Sequence, residues 1–515
     1  MSPKRRRKED DVIQVQLVNL YLIFMLLIFP LFYRNNYIDI LEAKRDLFLY
    51  GTVIFFVLTG SVCLYQWMQK EMKCIETKSF ARGCRYLPRF LGLCVLSWIV
   101  GMLMCDYKSD AFWGLTGRFL GISSMICALL AMLVIGRYLE WNVIMTWSFL
   151  GGSAIVYLLQ ILNEWKIDPL NMKDNLLERE HATFASTIGN INFNASFDGV
   201  VLAVGMVLFL LCREKISGIV YGSWLFLGFV AAFSCRSDSV FLGIMAAFLV
   251  LFWHVLGNGK RMIRFWLELF IFFLSSCVFK ALYEIFAKHC YSIDGVAELL
   301  QNEKILCAEL LFLVFFGIWI LRKKEDWTSN KRVAQKMYVC VIVVATIGGI
   351  GLLLLANIGT MSADGFSRFR ITDAWGSYRG YIWKKACELY GAYPISKKLF
   401  GCGMNCLPYL LEQEYAQEMK LLTGSRYLDV HNEFLQILLT TGIIGMIGYF
   451  GMIFSILKSC INKIKENEQL LLGIAGIAAF LAQGIVNNSQ IVTMPVFFVS
   501  WGIYLGMLRK TKNAE

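Results

Sequence analysis

The sequence predicts an all-α polytopic membrane protein of about 14 transmembrane helices, within a range of 12 to 14. Three observations carry this reading. Of 515 residues, 57% are hydrophobic and only 17% are charged, against roughly 25% charged in a soluble domain. The apolar residues gather in runs close to the roughly 20 residues a helix needs to cross a bilayer. Lys and Arg are divided unevenly between the loops that join those runs, as a membrane orientation requires.

Taken in order, the runs lie near Val12–Phe32, Leu47–Met68, Phe90–Cys105, Ala111–Ile135, Trp141–Leu162, Phe197–Cys212, Gly218–Phe233, Ser239–Leu256, Phe265–Leu282, Ile305–Leu321, Val333–Asn357, Asn432–Leu457, Leu470–Val486 and Ile491–Leu508. The third, seventh and eighth are short, which sets the lower end of the range. The first follows a basic stretch, as in a signal peptide. It is too long for one, and no small-residue cleavage site follows, so it reads as an uncleaved helix. Alternate loops hold 29 basic residues on one side and 19 on the other, with 9 of the 19 in a single loop. The richer set includes both termini, which are therefore expected in the cytoplasm. Arg118 and Lys280 fall within or near spans. The net charge of +12 needs no nucleic acid, because cytoplasmic loops facing anionic lipid account for it.

The 16 cysteines are scattered and show neither CxxC pairs nor zinc-like His/Cys spacing. Cys402 and Cys406 share an outward loop and can pair, although two unpaired residues is the favoured reading. Asp106 and Asp110 are too loosely spaced to suggest a metal site over solvated loop acids. There is no phosphate-cradling Gly loop, nucleotide fingerprint or internal repeat, and no metal or cofactor is expected.

Polar chemistry concentrates on the outward side. The loop 163–196 is long, and the loop 358–431 is the longest in the chain. Loops beyond roughly 12–15 residues are usually functional or disordered, and helix-like spacing of aromatic residues argues against disorder here. Within 358–431 two helices are predicted: one over Tyr378–Tyr390, packing Tyr381, Ile382, Leu389 and Tyr390, and one carrying the stripe Leu407, Leu411, Tyr415, Met419 and Leu422. Such helices can lie at the interface or cap an outward cavity.

Among four histidines, His254 has a structural default, while His181 and His289 read equally well as surface residues. His431 stands where the long loop re-enters the membrane, within Asp429-Val430-His431-Asn432-Glu433. A neutral imidazole at a helix mouth can take a proton from a hydroxyl near pH 7. It can equally cap the helix or satisfy a loop carbonyl, and residue type alone leaves both readings open. Arg236 sits in the tight turn Ser234-Cys235-Arg236-Ser237-Asp238, and Arg368, Arg370 and Arg379 open the long loop. Guanidinium groups bind phosphate bidentately and stay charged. At a membrane surface they also simply snorkel to headgroups, which is the favoured reading for Arg368.

At these residues the sequence resembles the O-antigen ligase and polymerase family of bacterial membrane glycan transferases. His431-Asn432-Glu433-Phe434-Leu435-Gln436 with Thr441-Gly442-Ile443-Ile444-Gly445 is similar to the family's "HN-x-[aromatic]-L-Q … G-x-x-G" signature. Arg379-Gly380-Tyr381-Ile382-Trp383 with Gly401-Cys402-Gly403 resembles its "R-x-x-x-W … G-x-G" stretch. Ser234-Cys235-Arg236-Ser237 resembles an "S-R" turn, with Cys235 in place of serine. Gly189-Asn190-Ile191-Asn192 and Ala195 resemble "G-N-P-N-x-x-A", with Ile191 in place of proline. The matched stretch runs from about 180 to 457 as a ligase/polymerase-like core within one polytopic domain, 1–515, whose large extracytoplasmic loop is 358–431.

The resemblance implies a GT-C-like helical bundle with an outward catalytic cavity in the bacterial cytoplasmic (inner) membrane. It also implies a metal- and nucleotide-independent reaction. An acceptor glycan or lipid attacks a glycan carried on polyprenyl diphosphate, and the diphosphate leaves. By the same resemblance His431 is the general base, Arg236 and Arg379 bind the lipid diphosphate, and Asn432, Asn190 and Arg370 are secondary site residues. Membrane lipid is a partner and nucleic acid is not. A polymerase of surface or capsular repeat units is favoured over a ligase of finished glycan. A lipid-linked oligosaccharide flippase is the competitor from another class, and Arg118, placed in the fourth span, is the chief feature in its favour.

Overall fold

The computed structural model describes residues 11–69, 84–322, 331–358, 370–424 and 426–511. It is helical throughout apart from one two-residue strand pair, Phe184–Ala185 with Gly189–Asn190. Every predicted run coincides with a helix. These are α1 Val12–Leu31, α2 Ile40–Met68, α3 Leu87–Met104, α4 Ile122–Tyr138, α5 Val143–Glu164, α6 Ile191–Leu211, α7 Lys215–Phe233, α8 Ser239–Val255, α9 Gly259–Ile285, α10 Glu303–Arg322 and α11 Lys331–Asn357. In the long loop lie α12 Trp375–Ala392 and α13 Leu407–Thr423. The chain then re-enters the bundle as α14 Glu433–Lys463, α15 Leu471–Gln483 and α16 Met494–Thr511. Among the described residues, ten helices are long and apolar enough to span a membrane; α4, α8 and the stretch containing α15 are shorter apolar helices.

Burial sorts the helices into a centre and a rim. In α6, 83% of the most apolar window is buried; in α10 and α11 the shares are 11% and 6%. A helix apolar on all sides must be covered by protein or by lipid. α6 takes the first course, packing on α7, α8 and α15, while α11 takes the second. α3 packs along α14, and α4 along α16.

The fourth span begins later than predicted. A short helix, Lys108–Trp113, ends at Gly114 in the left-handed conformation, and α4 starts only at Ile122. Arg118 therefore lies in the loop 114–121 rather than inside a span. The apolar run continues through that loop, so hydropathy alone could not place the break. Asp110 explains the loop's fold: its carboxylate accepts from Leu115 N, Thr116 N, Thr116 Oγ1 and Asn405 Nδ2. Cys402 and Cys406 are both free thiols, buried near Cys105.

Two glycines fix how the long loop meets the bundle. Inside α14, Gly442 adopts φ 66°, ψ −173° and breaks the helix. The carbonyls freed at the break are taken from outside: Cys402 N donates to Leu439 O at 2.9 Å, and Gly403 N to Thr440 O at 3.1 Å. A Cβ on Gly401 would lie 2.2 Å from Thr440 C, and one on Gly442 2.3 Å from Leu399 C. Only glycine permits this backbone approach. The two predicted loop helices also meet, with Lys385 bridging Glu388 and Glu418 at 3.1 Å each. Their buried sides include Tyr381, Ile382 and Leu389 on one helix and Leu407, Leu411 and Met419 on the other. Leu422, expected in the stripe, is exposed.

Candidate active site

All four motif segments contain or adjoin a residue at positive φ; in one it is a glycine, Gly189, and in the other three it is not. His431 has φ 49°, Arg236 φ 54°, and Ser377 and Tyr378, just before Arg379, have φ 58° and 68°. Non-glycine residues rarely hold this conformation, and it costs free energy that surrounding contacts must offset. At His431 those contacts are visible. Asn432 caps α14, accepting from Leu435 N at 2.9 Å and donating from Nδ2 to Ile485 O at 2.8 Å. Glu433 N donates to Gly484 O at 2.7 Å, while the Glu433 carboxylate accepts from Tyr449 Oη, Ser489 N and Ser489 Oγ. A chain held on both sides of His431 leaves its turn little freedom.

His431 Nδ1 lies 3.2 Å from Asp429 Oδ1, though the ring is not squarely aligned on that oxygen. Asp429 is fully buried and otherwise well satisfied. Arg118 Nε donates to its Oδ2, Gln490 Nε2 approaches the same oxygen at 3.3 Å, and His431 N donates to Oδ1 at 3.1 Å. Burial by itself would push the Asp429 carboxyl up. The Arg118 guanidinium and His431 more than offset that and bring it down to about 2. His431 moves below its ordinary value, first because it is buried and further because Arg118 and Arg379 are cationic; Asp429 opposes the shift. The imidazole is therefore neutral near pH 7 and can accept a proton.

Arg379 stands on the other side. The carboxylates of Asp238 and Asp429 act on its guanidinium, and burial lowers it against their pull. Its NH1 donates to Gly376 O at 3.3 Å, and its buried Nε makes no hydrogen bond. The helix bearing it is docked on the His431 turn: Trp383 Nε1 donates to Val430 O at 2.9 Å, and Tyr427 Oη to Ser377 O at 3.1 Å.

Arg236 has different company. Its Nε is 2.9 Å from Glu164 Oε2, its NH1 donates to Ala182 O, and its guanidinium lies 4.4 Å from the centre of the Tyr291 ring. Lys166 and Lys173 lie over the same ring at 5.3 and 5.0 Å. The Arg236 turn still adjoins the site. Asp238, two residues on, is within the field of Arg379, and Ser237 Oγ donates to Asn192 Oδ1 at 2.9 Å. Asn190 caps α6, accepting from Asn192 N at 2.9 Å. Arg370 is exposed at the start of the second described part of the loop, and Arg368 lies outside the described residues.

Sequence reasoning left two participants without a role. Arg118 is hidden by its place in an apolar run, and Asp429 by its place in a loop with other acids. The segment 487–490, which carries Gln490, was passed over as well. Its signal was four consecutive polar residues, Asn487-Asn488-Ser489-Gln490, in a turn between two apolar spans. Below the His431 turn, a crevice of about 40 Å³ is lined by Arg118, Asn405, Gln436, Glu433, Tyr449 and Asn488. That is room for a few waters, not a sugar ring. No group of three or more His, Cys, Asp or Glu able to hold a metal occurs among the described residues.

No curated protein matches the chain. A family model does match: that of the O-antigen ligase family (Wzy_C), the family that the motifs resemble, matches residues 304–450, which contain Arg370, Arg379, His431 and Asn432 but neither Arg236 nor Asn190.

Proposed function

We propose that this protein is a membrane glycan transferase that uses a polyprenyl-diphosphate-linked glycan as donor and polymerises repeat units of a surface polysaccharide. The observation that carries the reading is a half-buried imidazole fixed in a left-handed turn at the mouth of α14, beside Asp429 and within the field of Arg379. The family match supports glycan transfer of the O-antigen ligase and polymerase type.

In this reading a hydroxyl of the acceptor gives its proton to His431 as its oxygen bonds to the anomeric carbon of the donor. The bond from that carbon to the diphosphate oxygen breaks, and the electron pair leaves on the diphosphate. Arg379 and Arg236 hold the diphosphate and offset the charge that develops on it, where fixed cations contribute most. Asn432 and Asn190 act by capping the helices that carry the site, and Arg370 flanks it. The excess of basic residues on the opposite side supports an outward-facing site with both termini in the cytoplasm. The flippase reading loses its main support, because Arg118 lies outside the spans and is paired with Asp429.

The test is His431→Ala in a strain lacking the chromosomal gene. Transfer should fall by roughly 10²–10⁴-fold, with the protein still inserted in the membrane; a fully active variant overturns the base assignment. Gel analysis of the surface glycan of the deletion strain separates the readings. Single repeat units mark a polymerase, and long lipid-linked chains that never transfer mark a ligase. Units stranded on the cytoplasmic leaflet mark a flippase.

A further inference from the structure

Three separate parts of the chain converge on the carboxylate behind His431: its own loop, the loop 114–121 and the segment 487–490. We infer that Asp429 is a positioning residue for glycan transfer, orienting His431, and that Arg118 in the loop 114–121 holds Asp429 ionised and in place. This rests on the reading of His431 as the base.

The argument begins with burial. Asp429 is 0% exposed, and a buried carboxylate is tolerated only when paired and hydrogen-bonded. Arg118 supplies the charge, and Gln490 Nε2 and His431 N supply hydrogen bonds. Arg118 is itself held over the Phe193 ring at 5.2 Å, at the start of α6. The carboxylate is therefore tied, through Arg118, to the start of α6 as well as to the loop that carries it. What remains is Oδ1, 3.2 Å from His431 Nδ1. With Nδ1 protonated and turned onto Oδ1, the lone pair lies on Nε2, away from Asp429. The imidazolium formed on proton transfer then faces a fixed negative charge. Hydrogen bonds in unliganded sites are commonly loose and tighten with substrate, which accommodates the present misalignment of the ring.

The charges around His431 set a sign that can be read. Asp429 and Tyr427 face it from its own loop, Arg118 from the loop 114–121, Arg379 from α12, and Glu433 follows two residues on. The base form exists above the imidazole pKa, so activity is lost as pH falls through it. Removing Asp429's charge takes away the opposing influence and lowers that pKa; removing Arg118's charge does the reverse.

The experiment measures transfer rate against pH, with full-length protein in native membranes. The substrate is the lipid-linked glycan fraction extracted from the deletion strain, and rates are normalised to protein by immunoblot. Asp429→Asn should lower the plateau rate at least about tenfold and move the acidic limb to lower pH. Arg118→Gln should move the limb to higher pH, and Arg118→Lys should leave it where it is in the wild type. If Asp429→Asn does not accumulate, the two Arg118 variants carry the test. An acidic limb at one pH in all the variants overturns the proposal, leaving Asp429 and Arg118 as structural only. A fully active His431→Ala would instead overturn the base reading itself, so the two failures are distinguishable.

Discussion

Two arginine–carboxylate pairs stand near the same end of the bundle, and they differ in what is left over. At Arg236 the ion pair is buried: Glu164 is 0% exposed, and the guanidinium meets Glu164, the Ala182 carbonyl and the Tyr291 ring, although its Nε and NH2 make no hydrogen bond. At Arg118 the pair is open-ended. Asp429 has one oxygen on Arg118 and Gln490 and the other beside the His431 ring. Both arginines sit next to residues that a short motif or turn brings from afar, yet only the second pair adjoins an imidazole. A buried ion pair is weak grounds for stability or function in itself. The imidazole beside the second pair is what points to chemistry.

The comparison can be broken in order of expected effect. The largest loss should come from Arg236→Ala, which breaks a buried pair and leaves Glu164 buried without its cation, at a cost of about 3–5 kcal/mol. Membrane-inserted protein should fall sharply on immunoblots. The double variant Arg236→Gln, Glu164→Gln removes both charges and should restore the protein level. Restored protein without transfer would assign Arg236 to the diphosphate as well as to Glu164, whereas restored transfer would leave it purely structural.

Next is Gly442→Ala. The residue adopts φ 66°, and its new Cβ would meet the Leu399 carbonyl carbon at 2.3 Å. The loop carrying Arg379 and His431 is docked through this crossing, so stability should drop by more than about 1 kcal/mol. Thermal inactivation in native membranes should shift down with it, and an unchanged midpoint would show that the crossing can relax. The smallest effect is expected at the rim. Leu354 of α11 is 55% exposed within the protein, and Leu354→Ala should leave expression and transfer unchanged within measurement error. A clear loss would show that α11 packs against a partner rather than lipid.

Much of the fold was legible because lipid is a demanding solvent. Each spanning segment must be apolar and helical, so hydropathy alone located every helix from α1 to α11 and from α14 to α16. The two loop helices were legible through their apolar spacing. Legibility failed at Arg118, where the chain stays apolar through a loop: hydropathy records solvent preference, not where hydrogen bonding stops. Gly114 and the Asp110 carboxylate end that helix, and Asp110 gathers partners as distant as Asn405.

For the site, the sequence by itself supplied the residues with distinctive chemistry: His431 at a helix mouth, Arg236 in a tight turn, and Arg379 opening the long loop. Motif order suggested that they belong together. Which charges actually meet was decided only in three dimensions. Asp429 lies 311 positions from Arg118 and 61 from Gln490, and no local pattern encodes such pairings. The physical reason is that a helix mouth is defined by its own few residues, whereas the field around it comes from whichever chain ends the bundle brings alongside. Sequence therefore determined a membrane bundle with a titratable group at its mouth. The tertiary structure decided that Asp429 and Arg118 stand behind it, and that Arg236 faces Glu164 instead.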